Sequence, residues 1–281
     1  MLLFKKVKDL KSFLSKERKN DKTIGFTPTM GALHNGHMSL VQRSIEETDI
    51  SICSIFVNPT QFDDKKDLKK YPRTTGKDLD LLESIGTHVV FLPSVEEIYP
   101  NGQNTGHGFD FGDMAKHMEG AHRNGHFDGM AQVVKRLLEI VAPNFIFMGQ
   151  KDYQQQALVN VMLQQMKSDC KLVRCDIIRE PDGLAMSSRN VRLNKEDRKT
   201  AGKISETLRF AKEEAKILSL EKVKANSLKR LDIPQFSVDY FEIINAFTLQ
   251  SITEFGDAES VVACTTVQIG GVRLLDNMIL K

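Results

Sequence analysis

One short stretch of the sequence combines two histidines and two glycines in a pattern suited to binding an anion. Residues 27–38 read TPTMGALHNGHM, in which His34 and His37 are three residues apart. An apolar run precedes the stretch and a helical pattern follows it, so a strand should pass into a helix here. The free N–H groups of a helix's first turn bind anions, and side chains one turn apart point the same way. Two imidazoles placed there can stabilise charge that develops on a phosphate when a phosphoryl bond breaks.

Two alternatives also fit the HxxH spacing. Such a pair can supply two ligands to a metal ion, although zinc sites usually take a third and a fourth ligand. Two polar histidines can also lie on a surface without a specific function. The strand before the pair and the glycines around it favour the phosphate interpretation. A Walker-type phosphate loop is excluded, because GxxxxGK[ST] occurs nowhere in the sequence.

The elements that must position this stretch follow from the pattern of apolar residues. Short runs rich in Val, Ile and Phe recur, and most are continuous, as in the strands of a parallel sheet that is covered on both faces. They lie at residues 23–27, 50–57, 88–92, 145–148 and 172–178. Segments with helical spacing separate them, at residues 38–47, 76–84, 130–141 and 154–166. This alternation predicts an α/β fold with a Rossmann-like, doubly wound parallel sheet.

A smaller second domain is predicted after about residue 177. The loop EPDGLAMSSRN leads into a charged helical region, residues 196–231, which Pro234 ends. Alternating runs at residues 237–244, 261–267 and 272–275 then predict strands. We therefore expect a first domain of residues 1–177 and an α+β domain of residues 178–281.

Two long irregular stretches, residues 58–75 and 93–128, fall in the first domain. Loops longer than about 15 residues are uncommon in compact domains and are often functional. In open α/β sheets such loops emerge beyond the carboxyl ends of the strands, where ligands bind. The second stretch holds four histidines, whose separations of ten, five and four residues match no familiar set of metal ligands. A metal site there stays an alternative; the histidines are His107, His117, His122 and His126.

Composition excludes several classes of protein. The chain of 281 residues has a net charge of +2 with interspersed charges, so no global field indicates a nucleic acid or a membrane as partner. No apolar stretch approaches the roughly 20 residues of a membrane-spanning helix, and the amino terminus lacks a signal-peptide core. The four cysteines form no CxxC pair. These features favour a protein of the reducing cytoplasm.

The sequence resembles a known enzyme family in several stretches. TPTMGALHNGHMSLV resembles the HIGH-type signature of the nucleotidyltransferase superfamily and, within it, the pantothenate synthetase family, whose members join pantoate to β-alanine. The other stretches are FVNPTQF, YPRT, EGAHRNGHFDG, and GQKDYQQ followed by DGLAMSSRN, and they agree in order and spacing. The resemblance spans nearly the whole chain. One position departs from the family's pattern, because Gln150 stands where the family usually has Glu.

The resemblance implies that ATP is a substrate. The MSSRN run occupies the place of the superfamily's KMSKS-type loop, where hydroxyls and a guanidinium can hold a triphosphate that must lose pyrophosphate. Lys151 can supply a compact positive charge to the phosphates, although Lys151 and Asp152 would equally suit an ordinary helix N-cap with a solvated lysine. The implied ATP-binding residues are Met30, Gly31, Ala32, Leu33, His34, Asn35, Gly36, His37, Gly149, Gln150, Lys151, Asp152, Ile178, Met186, Ser187, Ser188 and Arg189.

The resemblance also implies a site for pantoate and β-alanine. Amide side chains donate and accept, which fits a substrate carrying hydroxyls and a carboxylate. The implied residues are Met30, Gln61, Arg123, His126 and Gln155, with Gln61 near both substrates. The glycine-rich loop before Arg123 would close over the site as a lid and exclude water from an acyl adenylate.

The implied activity is a two-step ligation in pantothenate biosynthesis. Pantoate and ATP would form pantoyl adenylate and pyrophosphate, and β-alanine would then displace AMP. The catalytic residues would be His34, His37, Lys151 and Arg189, with His37 as proton donor and Mg²⁺ screening the phosphates. A homodimer through the first domain is expected, and no protein-bound metal site. Two alternatives stay open: a nucleotidyltransferase that stops after moving AMP or CMP to a phosphate acceptor, and a catalytically silent nucleotide-binding module.

Overall fold

The computed structural model describes residues 1–102, 106 and 108–281, apart from the side chain of Lys65. The chain forms two compact units. Unit 1 comprises Met1–Phe111, Arg123–Gly149 and Leu158–Cys175, and unit 2 comprises Gly112–His122, Gln150–Ala157 and Asp176–Lys281. Unit 2 thus takes two segments from earlier in the chain as well as the carboxyl-terminal region. The division into domains of residues 1–177 and 178–281 stays a prediction.

Unit 1 contains a six-stranded parallel sheet. Its strands are β1 (Leu2–Phe4), β2 (Ile24–Thr29), β3 (Ile50–Ile55), β4 (Val89–Phe91), β5 (Phe145–Gly149) and β6 (Lys171–Cys175). Strands β2 to β5 are buried along almost their whole length. Burial on both faces of the sheet is the reason that their sequences are continuous apolar runs.

The order of the strands reverses at β2. The sheet runs β1-β4-β3-β2-β5-β6, so that β3 and β4 follow on one side of β2 and β5 and β6 lie on the other. Strands β2 and β5 pair in parallel, Gly25 with Phe145 and Phe26 with Ile146. In doubly wound sheets, the crevice outside the carboxyl ends of the strands at such a reversal is where ligands bind. The residues that end β2 and β5 therefore lie at the position expected for a ligand.

Helices connect the strands. The most important for the site is the second, which buries Val41 completely and places Met38 in one apolar cluster with Ile55 and Leu82. Full burial of a valine contributes about 1.5–3 kcal/mol, and the recurrence of apolar residues at helical spacing gives this helix one buried face. The helices are α1 (Val7–Lys19), α2 (Asn35–Glu47), α3 (Lys65–Lys70), α4 (Thr75–Ser84), α5 (Val95–Ile98), α6 (Glu119–His122), α7 (His126–Val141), α8 (Tyr153–Gln165), α9 (Lys195–Ala201), α10 (Lys203–Glu214) and α11 (Leu220–Leu231).

Unit 2 contains a three-stranded antiparallel sheet in the order β7-β8-β9. The strands are β7 (Ser237–Asn245), β8 (Val261–Ile269) and β9 (Val272–Ile279). Apolar residues of α10 and α11 form one core with those of the sheet, including Leu208, Val223, Val261 and Val267, all completely buried. Parallel strands in one sheet and antiparallel strands in a smaller one confirm the predicted fold class.

Two elements at the amino terminus were not predicted from the sequence. Strand β1 has three residues, too few to form a recognisable run, and α1 buries only Leu10 and Leu14 completely among many lysines. At the other end, β9 extends to Ile279, beyond the predicted end at residue 275. Among the helices of the described residues, none combines the length and the apolar character needed to cross a membrane.

Candidate functional site

A buried carboxylate holds the turn between β2 and α2. Gly31 has a φ of 77° and Ala32 a φ of 49°, both in the left-handed region, which glycine adopts freely and alanine only at a cost of about 1–3 kcal/mol. Asp78 of α4, which is 1% exposed, accepts hydrogen bonds from the backbone N–H groups of Ala32 at 3.0 Å and Leu33 at 2.9 Å. This carboxylate stabilises the conformation that places His34 at the start of α2.

The two histidines of the HNGH stretch lie side by side at the start of α2. His34 is the N-cap residue, and its Nδ1 accepts a hydrogen bond from the backbone N–H of Gly36 at 3.2 Å. Because Nδ1 accepts, this imidazole is neutral and carries its proton on Nε2. The ring centroids of His34 and His37 are 4.1 Å apart.

The side chain of Gln61 is oriented by its neighbours in unit 1. Asn58, which is 1% exposed, donates from Nδ2 to Gln61 Oε1 at 3.1 Å and to the backbone oxygen of Gly129 at 3.1 Å. Since its Oε1 accepts from Asn58, Gln61 turns its Nε2 toward Met30 Sδ, 3.3 Å away. Two of the residues predicted to bind pantoate are thus in contact, and Gln61 presents a donor.

Helix α7 packs directly on the turn that carries Gln61. A Cβ atom at Gly129 would lie 2.1 Å from the backbone oxygen of Thr60, so only glycine permits this approach. The hydroxyl of Tyr99 donates to Asn58 Oδ1 at 2.8 Å. Burial raises the pKa of Tyr99, which keeps the hydroxyl protonated as a donor. Asn58 is therefore held at both ends of its amide.

Arg123 and His126 form a second hydrogen-bonded pair beside Gln61. The Nδ1 atom of His126 is 2.8 Å from the backbone oxygen of Gln61, and its Nε2 atom is 3.0 Å from Arg123 Nη1. A carbonyl only accepts and a guanidinium only donates, so His126 donates from Nδ1 and accepts at Nε2. Arg123 also pairs with Asp63, with 3.4 Å between Nε and Oδ1. Four of the five residues predicted for pantoate thus adjoin one another in unit 1.

The GQKD stretch continues directly from β5. Gln150–Asp152 forms a short 3₁₀ turn, and Lys151 Nζ lies 3.6 Å from Asp152 Oδ1. The side chain of Lys151 is only 20% exposed, so it is not the solvated lysine of the N-cap alternative. Gln150 donates from Nε2 to Asn277 Oδ1 at 3.1 Å. The residue that departs from the family's pattern is therefore engaged as a hydrogen-bond donor, which an ionised Glu could not be.

The remaining predicted ATP residues share one hairpin of unit 2. The backbone N–H of Met186 donates to the oxygen of Ile178 at 3.0 Å, and Arg179 and Ala185 form a β-bridge between them. Ser187 Oγ accepts from the backbone N–H of Arg189 at 3.3 Å, which shapes the turn that contains Ser188. The structure thus brings Ile178 next to Met186, the first residue of the MSSRN run, while the binding of ATP by these residues stays a prediction.

Three further predictions concern Gln155, the glycine-rich loop and a metal site. Gln155 is half-buried in the part of α8 that belongs to unit 2. His107 and residues 103–105 of the glycine-rich loop lie outside the described residues, so the lid stays a prediction. In the part of the chain that the structure describes, no three His, Cys, Asp or Glu side chains converge where they could hold a metal ion.

Sequence reasoning missed the residues that support the predicted ones. Gly129 lies one residue before the predicted helix of residues 130–141, so its place inside α7 was not recognised. Asn58 carried a usable signal, since Asn before Pro59 is typical of a capped turn. Asp78 looks like any acidic residue in the first turn of a helix, and Asn277 looks like the end of a strand. Nothing local distinguishes these two from their exposed counterparts.

The fold and the site define a class of protein. A doubly wound parallel sheet, with an imidazole pair at a helix N-terminus beside the reversal of strand order, is typical of α/β proteins that bind phosphate-containing ligands. The model of a family described as pantoate-beta-alanine ligase matches residues 2–279. The pantothenate synthetases of Azobacteroides pseudotrichonymphae and Porphyromonas gingivalis are each 46% identical to this chain, and each alignment covers 99% of both sequences. The chain belongs to the pantoate–β-alanine ligase family.

Solved structures agree with this assignment. The crystal structure of pantothenate synthetase from Thermus thermophilus matches with a TM-score of 0.93 at 35% identity and covers 100% of this chain and 99% of that one. The pantoate-beta-alanine ligase of Francisella tularensis, solved in complex with beta-gamma ATP and beta-alanine, matches with a TM-score of 0.83, also at 35% identity, and covers 100% of this chain and 98% of that one. The chain is thus an enzyme of this family along its whole length.

Proposed function

We propose that the protein condenses pantoate with β-alanine at the expense of ATP through a pantoyl adenylate. The observation that carries the proposal is the His34–His37 pair at the N-terminus of α2, in a chain of the pantoate–β-alanine ligase family. The Francisella relative, solved with a form of ATP and with β-alanine, supports the choice of these two substrates. The third substrate follows from the family's description.

In the first step, a carboxylate oxygen of pantoate attacks the α-phosphorus of ATP. The bond from that phosphorus to the β-phosphate oxygen breaks, and pyrophosphate leaves with the bonding electron pair. His34 presents its Nε2–H group, and His37 donates to the phosphate on which charge develops. Lys151, Ser187, Ser188 and Arg189 bind the triphosphate. No covalent enzyme intermediate is needed, because positioning and charge stabilisation suffice for in-line transfer.

In the second step, the amine of β-alanine attacks the carbonyl carbon of the adenylate. The carbon–oxygen bond to AMP breaks, the amine nitrogen loses a proton, and pantothenate and AMP are released. Gln61, whose Nε2 is turned toward Met30, donates to pantoate, and Arg123, aligned by His126, offers a positive charge to a substrate carboxylate. Gln155 completes the proposed pantoate set.

Mg²⁺ is proposed to enter with ATP and to screen the charge on its phosphate oxygens. Mg²⁺ that enters with a nucleotide is usually bound chiefly by phosphates and water. Asp152, half-exposed beside Lys151, is the carboxylate of the proposed set that would contact it. The homodimer and the cytoplasmic location stay predictions.

Exchange of labelled pyrophosphate into ATP tests the proposal most directly. With Mg²⁺ and pantoate present and β-alanine absent, we expect exchange, because the first step is reversible. Exchange without pantoate, or none with it in protein that binds ATP, would refute the adenylate. Adding β-alanine should then yield AMP and pantothenate in equal amounts. Accumulation of a nucleotidylated product without an amide would instead indicate the simple nucleotidyltransferase.

A further inference from the structure

Asn277 holds the backbone of the GQKD turn. Its Nδ2 atom is 2.9 Å from the backbone oxygen of Gln150 and 2.9 Å from that of Lys151. Carbonyl oxygens only accept, so the nitrogen of this amide must face them and its Oδ1 must face Gln150 Nε2. Asn277 is 1% exposed and pairs with Cys264 inside the sheet of unit 2. The side chain thus makes three hydrogen bonds to one short turn.

The preceding residue of β9 holds a second segment. Asp276, 3% exposed, accepts from Arg179 in bidentate fashion, with Nη1 to Oδ2 at 2.7 Å and Nη2 to Oδ1 at 3.0 Å. Arg179 also donates from Nη1 to the backbone oxygen of Gly183 at 3.0 Å, which ties it to the hairpin that leads into Ser187. Burial raises the pKa of the Asp276 carboxyl, and the neighbouring guanidinium opposes that shift. Two adjacent residues of one strand therefore anchor both segments of unit 2 that are predicted to bind ATP.

We propose that Asn277 is a positioning residue for the triphosphate of ATP. By fixing the two carbonyl groups of the GQKD turn, it sets the direction in which Lys151 leaves the backbone. Asp276, through Arg179, fixes the hairpin that carries Arg189. Strand β9 thus holds both proposed phosphate-binding segments in place. This inference rests on the proposed function, in which Lys151 and Arg189 bind the triphosphate.

A purely structural role for Asn277 makes a different prediction from a positioning role. If the side chain only fills space, Asn277→Ala should weaken ATP binding more than Asn277→Asp, which keeps the shape of the side chain. If its donor group positions the turn, Asn277→Asp should weaken ATP binding more than Asn277→Ala, because a carboxylate oxygen would face two carbonyl oxygens. The order of the two variants therefore separates the roles.

Calorimetric titration of each variant with ATP and Mg²⁺ provides the measurement. We expect Asn277→Asp to weaken ATP binding by about ten- to a hundredfold, with Asn277→Ala intermediate and the KM for pantoate unchanged. The matched control is Asn245→Asp, because the hydrogen bonds that the Asn245 side chain makes to described residues all go to its Oδ1, which accepts from the backbone N–H groups of Phe247 and Thr248. This control should bind ATP like the wild type.

Each outcome decides the inference. Unchanged ATP affinity in Asn277→Asp, or a larger loss in Asn277→Ala, would overturn it. If Asn277→Asp does not fold, Asn277→Ser serves instead: it keeps one donor and should weaken binding by about tenfold, and wild-type affinity would overturn the inference. Wild-type protein that binds ATP but shows no pantoate-dependent exchange would refute the proposed reaction and leave the binding comparison intact. Wild-type protein that does not bind ATP would overturn both.

Discussion

The imidazole of His37 leads to the first prediction about catalysis. Replacing His37 with Ala removes a donor to the phosphate that gains charge, so pyrophosphate exchange should fall by about 10²–10⁴-fold while ATP still binds. His117→Ala is the matched control, since this histidine is exposed and lies outside both proposed binding groups. Near-normal exchange in His37→Ala would refute the role assigned to it.

Asp78 is a second residue whose chemistry is specific. The two carboxylate oxygens of Asp78 accept from three donors: the N–H groups of Ala32 and Leu33 and the hydroxyl of Thr74. An Asn at this position would offer these donors only one acceptor oxygen. We expect Asp78→Asn to lower the free energy of unfolding by about 1–3 kcal/mol and to reduce kcat, because the left-handed turn before His34 loosens. Urea unfolding and exchange assays measure both.

The control for Asp78 lies on the same helix. Asp80→Asn makes the same change at an exposed position of α4 and should alter neither stability nor kcat measurably. If the two variants behaved alike, the carboxylate of Asp78 would have no special part in holding the turn.

At the scale of elements, the approach of α7 to the turn at residues 59–61 depends on Gly129. A methyl group there would meet a backbone oxygen at 2.1 Å, and a backbone cannot turn aside as a flexible side chain can. We expect Gly129→Ala to lower the free energy of unfolding by about 3 kcal/mol or more, as severe overpacking does. Gly76→Ala in α4 is the opposite control. Among the described residues, no atom outside its chain neighbours and the helix's own backbone lies within 4 Å of the added methyl, so this change should stabilise the protein by about 0.5–1 kcal/mol. Equal effects in urea unfolding would contradict the packing argument.

The elements also show how far the sequence predicts the fold. Strands β2 to β5 were predictable because burial on both faces requires continuous apolar runs. Strand β9 was predicted too short, because Asp276 and Asn277 look like the end of a strand while their polarity serves buried hydrogen bonds. Local sequence patterns indicate burial and the periodicity of apolar residues. They do not indicate which distant group a buried polar side chain will contact.

The same limit applies to the candidate site. The HNGH pair could be placed from its own spacing, since both histidines belong to one helix start. The contacts between Gln61 and Met30, and between His126 and the backbone of Gln61, join residues 31 and 65 positions apart. Resemblance to a family grouped these residues, and only the fold supplies the hydrogen bonds that orient them.

At the scale of the whole molecule, the chain crosses repeatedly between its two units, and this affects how they unfold. The chain passes between the two units after residues 111, 122, 149, 157 and 175. Each passage ties a segment of one unit to the covalent neighbours of the other. Unfolding of one unit therefore disturbs the ends of segments in the other, and we expect the two to unfold in one transition.

Two buried cysteines can report on this transition separately. Cys53 lies in β3 of unit 1 and Cys264 in β8 of unit 2, and burial raises the pKa of both thiols, that of Cys53 to about 12. Since the thiolate is the reactive form, neither should be alkylated by iodoacetamide in the native protein at pH 8. Across a urea gradient, mass spectrometry should find both labelled over the same range of concentration. If Cys264 became labelled at a urea concentration that leaves Cys53 protected, the units would unfold independently despite the five passages of the chain between them.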